Sequence, residues 1–258
     1  MKKITGWIAL TVTAYLIALL ALLPARYVIN DLAPQFGIKL GNELALTGIS
    51  GAIWNGEVEQ LHYQGKKIGK ATWGLHPLSL LVGNLVLNWQ LKTQDGDLHG
   101  EATFNTSGQI LLEDIKGQIP VEELTALLPF VPVVVNGTVT FDLSEVQIEG
   151  GKPKQATGEI HWNRAVIVAM QKVDFGDVTV IVDTRADTGN IEAKINNRQG
   201  ALAVNVTATL ESSGKYQLAG ELTASKQKNR ALLNNFIMLG RPDQNGRLRF
   251  SQSGRFKR

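Results

Sequence analysis

The chain has 258 residues, with 26 Lys and Arg against 23 Asp and Glu. A net charge of +3 is too small to drive nucleic-acid binding over the whole chain, so no nucleic-acid partner is expected. It has no cysteine, which excludes disulfides and thiol chemistry and leaves packing to supply the stability.

The first element is Ile4 to Ala25, which no charged residue interrupts. As a helix rising ~1.5 Å per residue, it is long enough to cross a hydrocarbon core of roughly 30 Å. Unpaired backbone groups find no partner in lipid, so a helix is the form a single span takes. Lys2 and Lys3 precede it, and the positive-inside tendency holds them in the cytoplasm. Residues 1–3 then form a cytoplasmic tail, residues 4–25 a transmembrane signal anchor, and residues 26–258 an exported β-rich domain. Trp7 and Tyr27 sit where interfacial aromatics anchor the two ends, while Arg26 weakens the charge asymmetry. A cleaved signal peptide is the rival reading. Its charged start fits, but the apolar run exceeds the usual ~7–15 residues and no Ala-x-Ala follows. The uncleaved anchor is preferred, and both readings export the remainder.

Beyond the anchor, period-two alternation dominates. Leu85, Leu87, Trp89 and Leu91 alternate with Asn88, Gln90 and Lys92. Gln94-Asp95-Gly96-Asp97 then predicts a hairpin turn, because Asp-Gly tolerates positive φ. Leu98, Gly100, Ala102 and Phe104 return on the next strand. Val135, Gly137, Val139, Phe141 and Leu143 define another, with the odd-numbered residues on its apolar side. Further runs are Ile160 with Trp162, Val178 to Val182, Ile191 to Ile195, Leu202 to Leu210, Tyr216 to Leu222, and Leu248 with Phe250. One face of each strand is apolar and the other polar, which predicts an antiparallel sheet covered or bound on one side.

Helices are few. Pro120 to Leu128 has proline and acids in its first turn and is stopped by Pro129. Leu78 to Leu81 reads as one apolar turn. Ser225 to Leu239 predicts the longest helix, with Leu232, Leu233, Phe236, Ile237 and Leu239 on one face. Ser225 is placed to cap its start and Gly240 to close its end. The fold class is therefore mainly β: an N-terminal transmembrane helix, then an extended, curled antiparallel sheet with a few short helices.

No catalytic, cofactor-binding or metal-binding residue is nominated. His62, His76, His99 and His161 have no second ligand at metal spacing and read as surface or strand histidines. Asp95 with Asp97, and Asp174-Phe175-Gly176-Asp177, read as turns rather than acid–base pairs. Gly-x-Ser-x-Gly, Gly-x-Gly-x-x-Gly and phosphate-loop signatures are missing. The basic run Arg247, Arg249, Arg255, Lys257 and Arg258 reads as a solvated tail, with lipid headgroups or an acidic partner as the alternative.

Several stretches resemble the type II secretion system protein N family, also called general secretion pathway protein N. They are the short start with a single anchor; Gly51-Ala52-Ile53-Trp54-Asn55-Gly56; Trp73-Gly74-Leu75-His76-Pro77-Leu78 with Leu80-Leu81-Val82-Gly83; Thr157 to Trp162; and Leu232-Leu233 through Leu239-Gly240-Arg241-Pro242-Asp243 with Gly246. The anchor and the first glycine-tryptophan element are also similar to AsmA-like envelope proteins. The resemblance implies a Gram-negative inner-membrane accessory component of the type II protein secretion machinery. Its N-terminus would be cytoplasmic and its β-rich domain periplasmic, acting by protein–protein interaction without enzymatic activity. The implied partners are the inner membrane and other type II secretion components. The alternative function is an AsmA-like lipid-binding or lipid-transfer protein, with lipid in an apolar groove lined by Trp89, Phe104 and Phe141. An envelope glycan hydrolase is a third class, and it needs two carboxylates converging across a cleft.

Overall fold

A computed structural model describes residues 11, 12, 15, 19, 22–32, 43–127 and 133–255. The expected transmembrane helix, Ile4 to Ala25, falls largely outside them. Thr11, Val12, Tyr15 and Leu19 are helical, and among the described residues no helix is long and apolar enough to cross a membrane. The alternating runs do form strands. Among the described residues, thirteen strands make one antiparallel sheet whose strand order follows chain order. The chain divides into two compact units, residues 1–91 and 92–258.

In the first unit, a helical turn at Ala25–Tyr27 and a π turn at Val28–Leu32 precede β1 (Leu44–Gly51), β2 (Asn55–Tyr63) and β3 (Lys66–Leu75). A 3-10 segment, η1 (Pro77–Val82), leads to β4 (Asn84–Lys92). The glycine-rich stretch Gly48-Ile49-Ser50-Gly51 is not a turn but the end of β1, paired with Gly56, Glu57 and Val58 of β2. The glycine-tryptophan element has a packing cause. Gly56 has no side chain, so the Trp73 ring lies across it, and a methyl group there would collide with that ring. The Trp73 indole N–H in turn donates to the Ile53 carbonyl at 2.9 Å, satisfying both polar groups.

The second unit carries β5 (Asp97–Asn105), β6 (Gln109–Pro120), helix α1 (Val121–Leu127), β7 (Val134–Glu149), β8 (Lys152–Val168), β9 (Lys172–Thr184), β10 (Ile191–Gln199), β11 (Leu202–Leu210), β12 (Lys215–Ala224), a second 3-10 segment η2 (Gln227–Phe236), and β13 (Arg247–Arg255). The Asp-Gly turn before β5 forms, with the Thr93 N–H donating to the Gly96 carbonyl at 2.9 Å, but neither Asp95 nor Gly96 takes the positive φ on which the expectation rests. Val135 and Val139 of β7 are buried and pack with Val121 of α1, with Phe141 alongside, so the predicted register of this strand holds. It does not hold to the strand's end. Ser144 is an extra residue opposite β8, and the apolar positions pass from odd numbers to Val146 and Ile148. A bulge of this kind bends the strand and keeps its apolar residues on one side. Arg164 marks a second bulge in β8, at φ 52°, with its backbone N–H satisfied by Asp177 Oδ1 at 3.0 Å.

The larger core cluster joins Ala165, Val173, Phe175, Val178, Leu202, Leu222 and Leu248 of the sheet to Leu233 of η2. Leu233 is 0% exposed, and the Phe236 ring meets Phe175 edge to face at 5.8 Å and 71°. The stretch Ser225 to Leu239 thus covers the apolar face as its leucines predict, but as a 3-10 segment rather than an α-helix. The reason lies in its polar side chains. Ser225 Oγ donates to the Gly200 carbonyl at 2.8 Å instead of capping the segment. Asn229 donates to the Ala201 carbonyl at 3.0 Å, so both side chains serve the Gly200–Ala201 turn rather than the start of an α-helix.

Candidate interaction surfaces

The histidines are dispersed. His62 lies in β2 opposite Lys67, and His76 Nε2 is 2.9 Å from Asn88 Nδ2. His99 Nδ1 is 4.0 Å from Asp97 Oδ2, and His161 Nε2 is 3.1 Å from Glu159 Oε2. Among the described residues, no group of three or more His, Cys, Asp or Glu is placed to hold a metal ion. Of the aspartates singled out from sequence, Asp174 and Asp177 accept backbone N–H groups through their carboxylates. The Asp95 N–H donates to Glu123 Oε1 at 3.1 Å, and Asp174 Oδ1 accepts the Gly176 N–H at 2.8 Å. Asp174 to Asp177, expected as a turn, instead lies inside β9, where Gly176 at φ 67° absorbs the irregularity opposite the β8 bulge.

Charge on the polar surface is locally compensated. The Arg185 guanidinium beside Asp187 holds that carboxyl below its ordinary range. Lys194, and then Arg185, do the same for Glu192. These ion pairs are solvated, and such pairs contribute little to stability. Of the C-terminal basic run, Arg247, Arg249 and Arg255 lie in β13, and Lys257 and Arg258 lie outside the described residues. Arg249 Nε is 3.4 Å from Glu221 Oε2, beside a shallow depression lined by Asn205, Thr207 and Phe250. Asp243 organises the turn that leads into β13. Its Oδ1 accepts the N–H groups of Arg247 at 3.0 Å and Asn245 at 2.8 Å, and the Arg247 N–H is the main cause of its lowered pKa.

The exposed apolar residues are the informative ones. At one end of the second unit, Val134 begins β7 opposite Val168, and Met170 occupies the tip of the β8–β9 turn. The Gln171 N–H donates to Asn235 Oδ1 at 3.1 Å, tying the end of η2 to that turn. Ile237 and Met238 follow immediately. Met170 is 78% exposed, Ile237 57% and Met238 92%, so this end presents an apolar rim. Sequence reasoning assigns Ile237 to the packed face with Leu233 and Phe236, but the chain turns it outward because η2 ends at Phe236. Of the aromatics proposed to line a lipid groove, Phe141 packs beside α1, while Trp89 and Phe104 are half-buried in their strands.

Residues 42–251 match the family described as Type II secretion system (T2SS), protein N. The chain is 25% identical over 261 residues to Type II secretion system protein N of Vibrio cholerae, covering 98% of this chain and 99% of that protein. It is 27% identical over 259 residues to the protein of the same description from Aeromonas hydrophila, covering 96% of each. No solved structure matches the chain.

Proposed function

Since the chain belongs to the type II secretion system protein N family, and is thereby a type II secretion component, we propose that it is an inner-membrane-anchored accessory protein acting by protein–protein interaction in the periplasm. The observation that carries the interaction is the apolar rim of Val134, Met170, Ile237 and Met238. Exposed apolar side chains on a fixed backbone gain by leaving water, and methionines adapt to the surface they meet. The partner is another component of the secretion machinery. The role is mechanical rather than catalytic, and no reaction is assigned.

The anchoring half rests on Ile4 to Ala25, with Lys2 and Lys3 before it. Two measurements on the full chain test the two halves separately. A reporter enzyme active only outside the cytoplasm, fused after Arg258, is expected to be active and to sediment with membranes; an inactive fusion contradicts the topology. Removing the protein from its host is expected to reduce export of type II substrates, and resupplying it to restore that export. Undiminished export contradicts a role in secretion, whatever the fusion reports.

A further inference from the structure

The first unit carries its own apolar protrusion, and its position identifies the occupant. No Asp, Glu, Lys or Arg falls between Lys70 and Lys92, and η1 sits in the middle of that interval. Within η1, Leu78 is 77% exposed, Leu81 83% and Val82 75%. A frayed loop would explain such exposure trivially, but η1 is held firmly. Ser79 Oγ donates to the His76 carbonyl at 2.6 Å and accepts the Val86 N–H at 3.2 Å. The His76 N–H donates to the Val86 carbonyl at 2.9 Å. Gly83, at φ 79°, closes the turn by donating to the Leu80 carbonyl at 3.1 Å. The leucines are therefore presented outward by a built turn, and exposed apolar groups so presented mark a contact surface.

What lies against that surface follows from the neighbouring backbone. The apolar N-terminal stretch reaches the sheet at Leu23 to Ala25. There the Leu23 carbonyl accepts the Ile53 N–H at 2.9 Å, and Pro24 bridges to Ala52 in the β1–β2 turn. One residue further, the Trp54 carbonyl accepts the Leu75 N–H at 2.6 Å, and two residues beyond Leu75 the chain enters η1. The end of the apolar stretch, the β1–β2 turn and the β3–β4 turn thus sit at the same end of the four strands. Arg26 and Tyr27, the residue types that favour the headgroup layer, are exposed beside them. From this juxtaposition we infer that η1 is a second, monotopic membrane contact, in which Leu78, Leu81 and Val82 dip into the headgroup–acyl boundary of a phospholipid bilayer next to the anchor. The contact rests on the anchored reading of Ile4 to Ala25. It adds that the first unit lies against the bilayer rather than hanging freely from a tether. Its driving force is burial of three aliphatic side chains, and η1 itself carries no charged residue to desolvate.

The cysteine-free sequence makes the test direct. Single cysteines are placed in the full chain by Leu81→Cys in η1, Val12→Cys in the apolar stretch, and Lys67→Cys at the opposite end of the β2–β3 hairpin. Each is labelled with an environment-sensitive fluorophore after reconstitution into phosphatidylethanolamine–phosphatidylglycerol vesicles containing a nitroxide lipid. The account expects both the Leu81 and Val12 probes to shift to the blue and to be quenched severalfold more than the Lys67 probe. It expects a Val82→Cys probe to be quenched likewise, and to lose that quenching when Leu78→Asp and Leu81→Asp are added, with the melting temperature unchanged because both leucines are solvent-facing. A quenched Val12 probe beside a Leu81 probe that behaves like Lys67 overturns this inference and leaves the anchor intact. An unquenched Val12 probe overturns the anchor, and an unquenched Leu81 probe with it removes both. A Leu81 probe shielded only when other secretion components are added assigns η1 to a protein partner and overturns the lipid contact.

Discussion

Leu233 decides whether η2 is a lid on the sheet or a removable docking element. Leu233→Ala deletes three carbons from a side chain that is 0% exposed among Phe175, Leu202, Leu222 and Leu248. At ~0.8 kcal/mol per buried methylene, the transfer loss is about 2.4 kcal/mol. The residual cavity raises the total to roughly 3–4 kcal/mol, because strands on one side and η2 on the other restrict collapse. For a unit of this size, that corresponds to a melting temperature lower by roughly 6–15 °C. Phe236→Ala should cost less than a fully buried phenylalanine, because Phe236 is only half-buried; its edge-to-face contact with Phe175 is worth ~1 kcal/mol of the loss. Thermal unfolding of the full chain, followed by far-ultraviolet circular dichroism in detergent, reads both. An unchanged melting temperature for Leu233→Ala would refute the buried lid and mean that η2 leaves the sheet readily.

In β7, Phe141→Asp places an unpaired charge beside Val121 and Val139 and is expected to cost several kcal/mol, whereas Thr140→Asp should cost well under ~1 kcal/mol; equal melting shifts would refute the register. Gly56→Ala forces the Trp73 ring off its seat and breaks the bond to the Ile53 carbonyl, for a loss of roughly 1–3 kcal/mol; a red-shifted tryptophan emission checks it, and unchanged emission and stability contradict it. Asp243 has a lowered pKa in the folded chain, so its ionised form contributes stability that is complete above the ordinary aspartate value and is lost as pH falls through the folded value. Asp243→Asn should therefore melt below the parent at neutral pH and converge with it in acid; a gap that does not change with pH would show that the carboxylate charge is irrelevant.

The strands were legible because their apolar residues alternate without interruption, as from Leu202 to Leu210, and the register of each hairpin keeps them on one face. The bulges at Ser144 and Arg164 were not legible, since each depends on the partner strand and leaves no mark on its own sequence. The lid was legible as a cover through Leu232, Leu233 and Phe236, but its helix type was not, because Ser225 and Asn229 find partners in the distant Gly200–Ala201 turn. Both exposed apolar surfaces were hidden for a related reason. A run such as Leu78-Ser79-Leu80-Leu81-Val82 reads alike in a core and on a surface until the hydrogen bonds of Ser79 and Gly83 fix which way it faces. Met170 and Met238 are distant in sequence, and the bond between Gln171 and Asn235, with the packing of Phe236 on Phe175, brings their turns together.

The most direct test of the central claim is photocrosslinking in actively secreting cells, with a photoreactive residue at Met238 in the otherwise unchanged chain and a second variant carrying it at Glu211 as the control. The account predicts an adduct from Met238, and none from Glu211, whose second member is identified as a component of the type II machinery and whose yield falls when Met170→Asp is added. Equal crosslinking from both sites, or a Met238 adduct that contains no secretion component, would contradict a role exercised through the apolar rim.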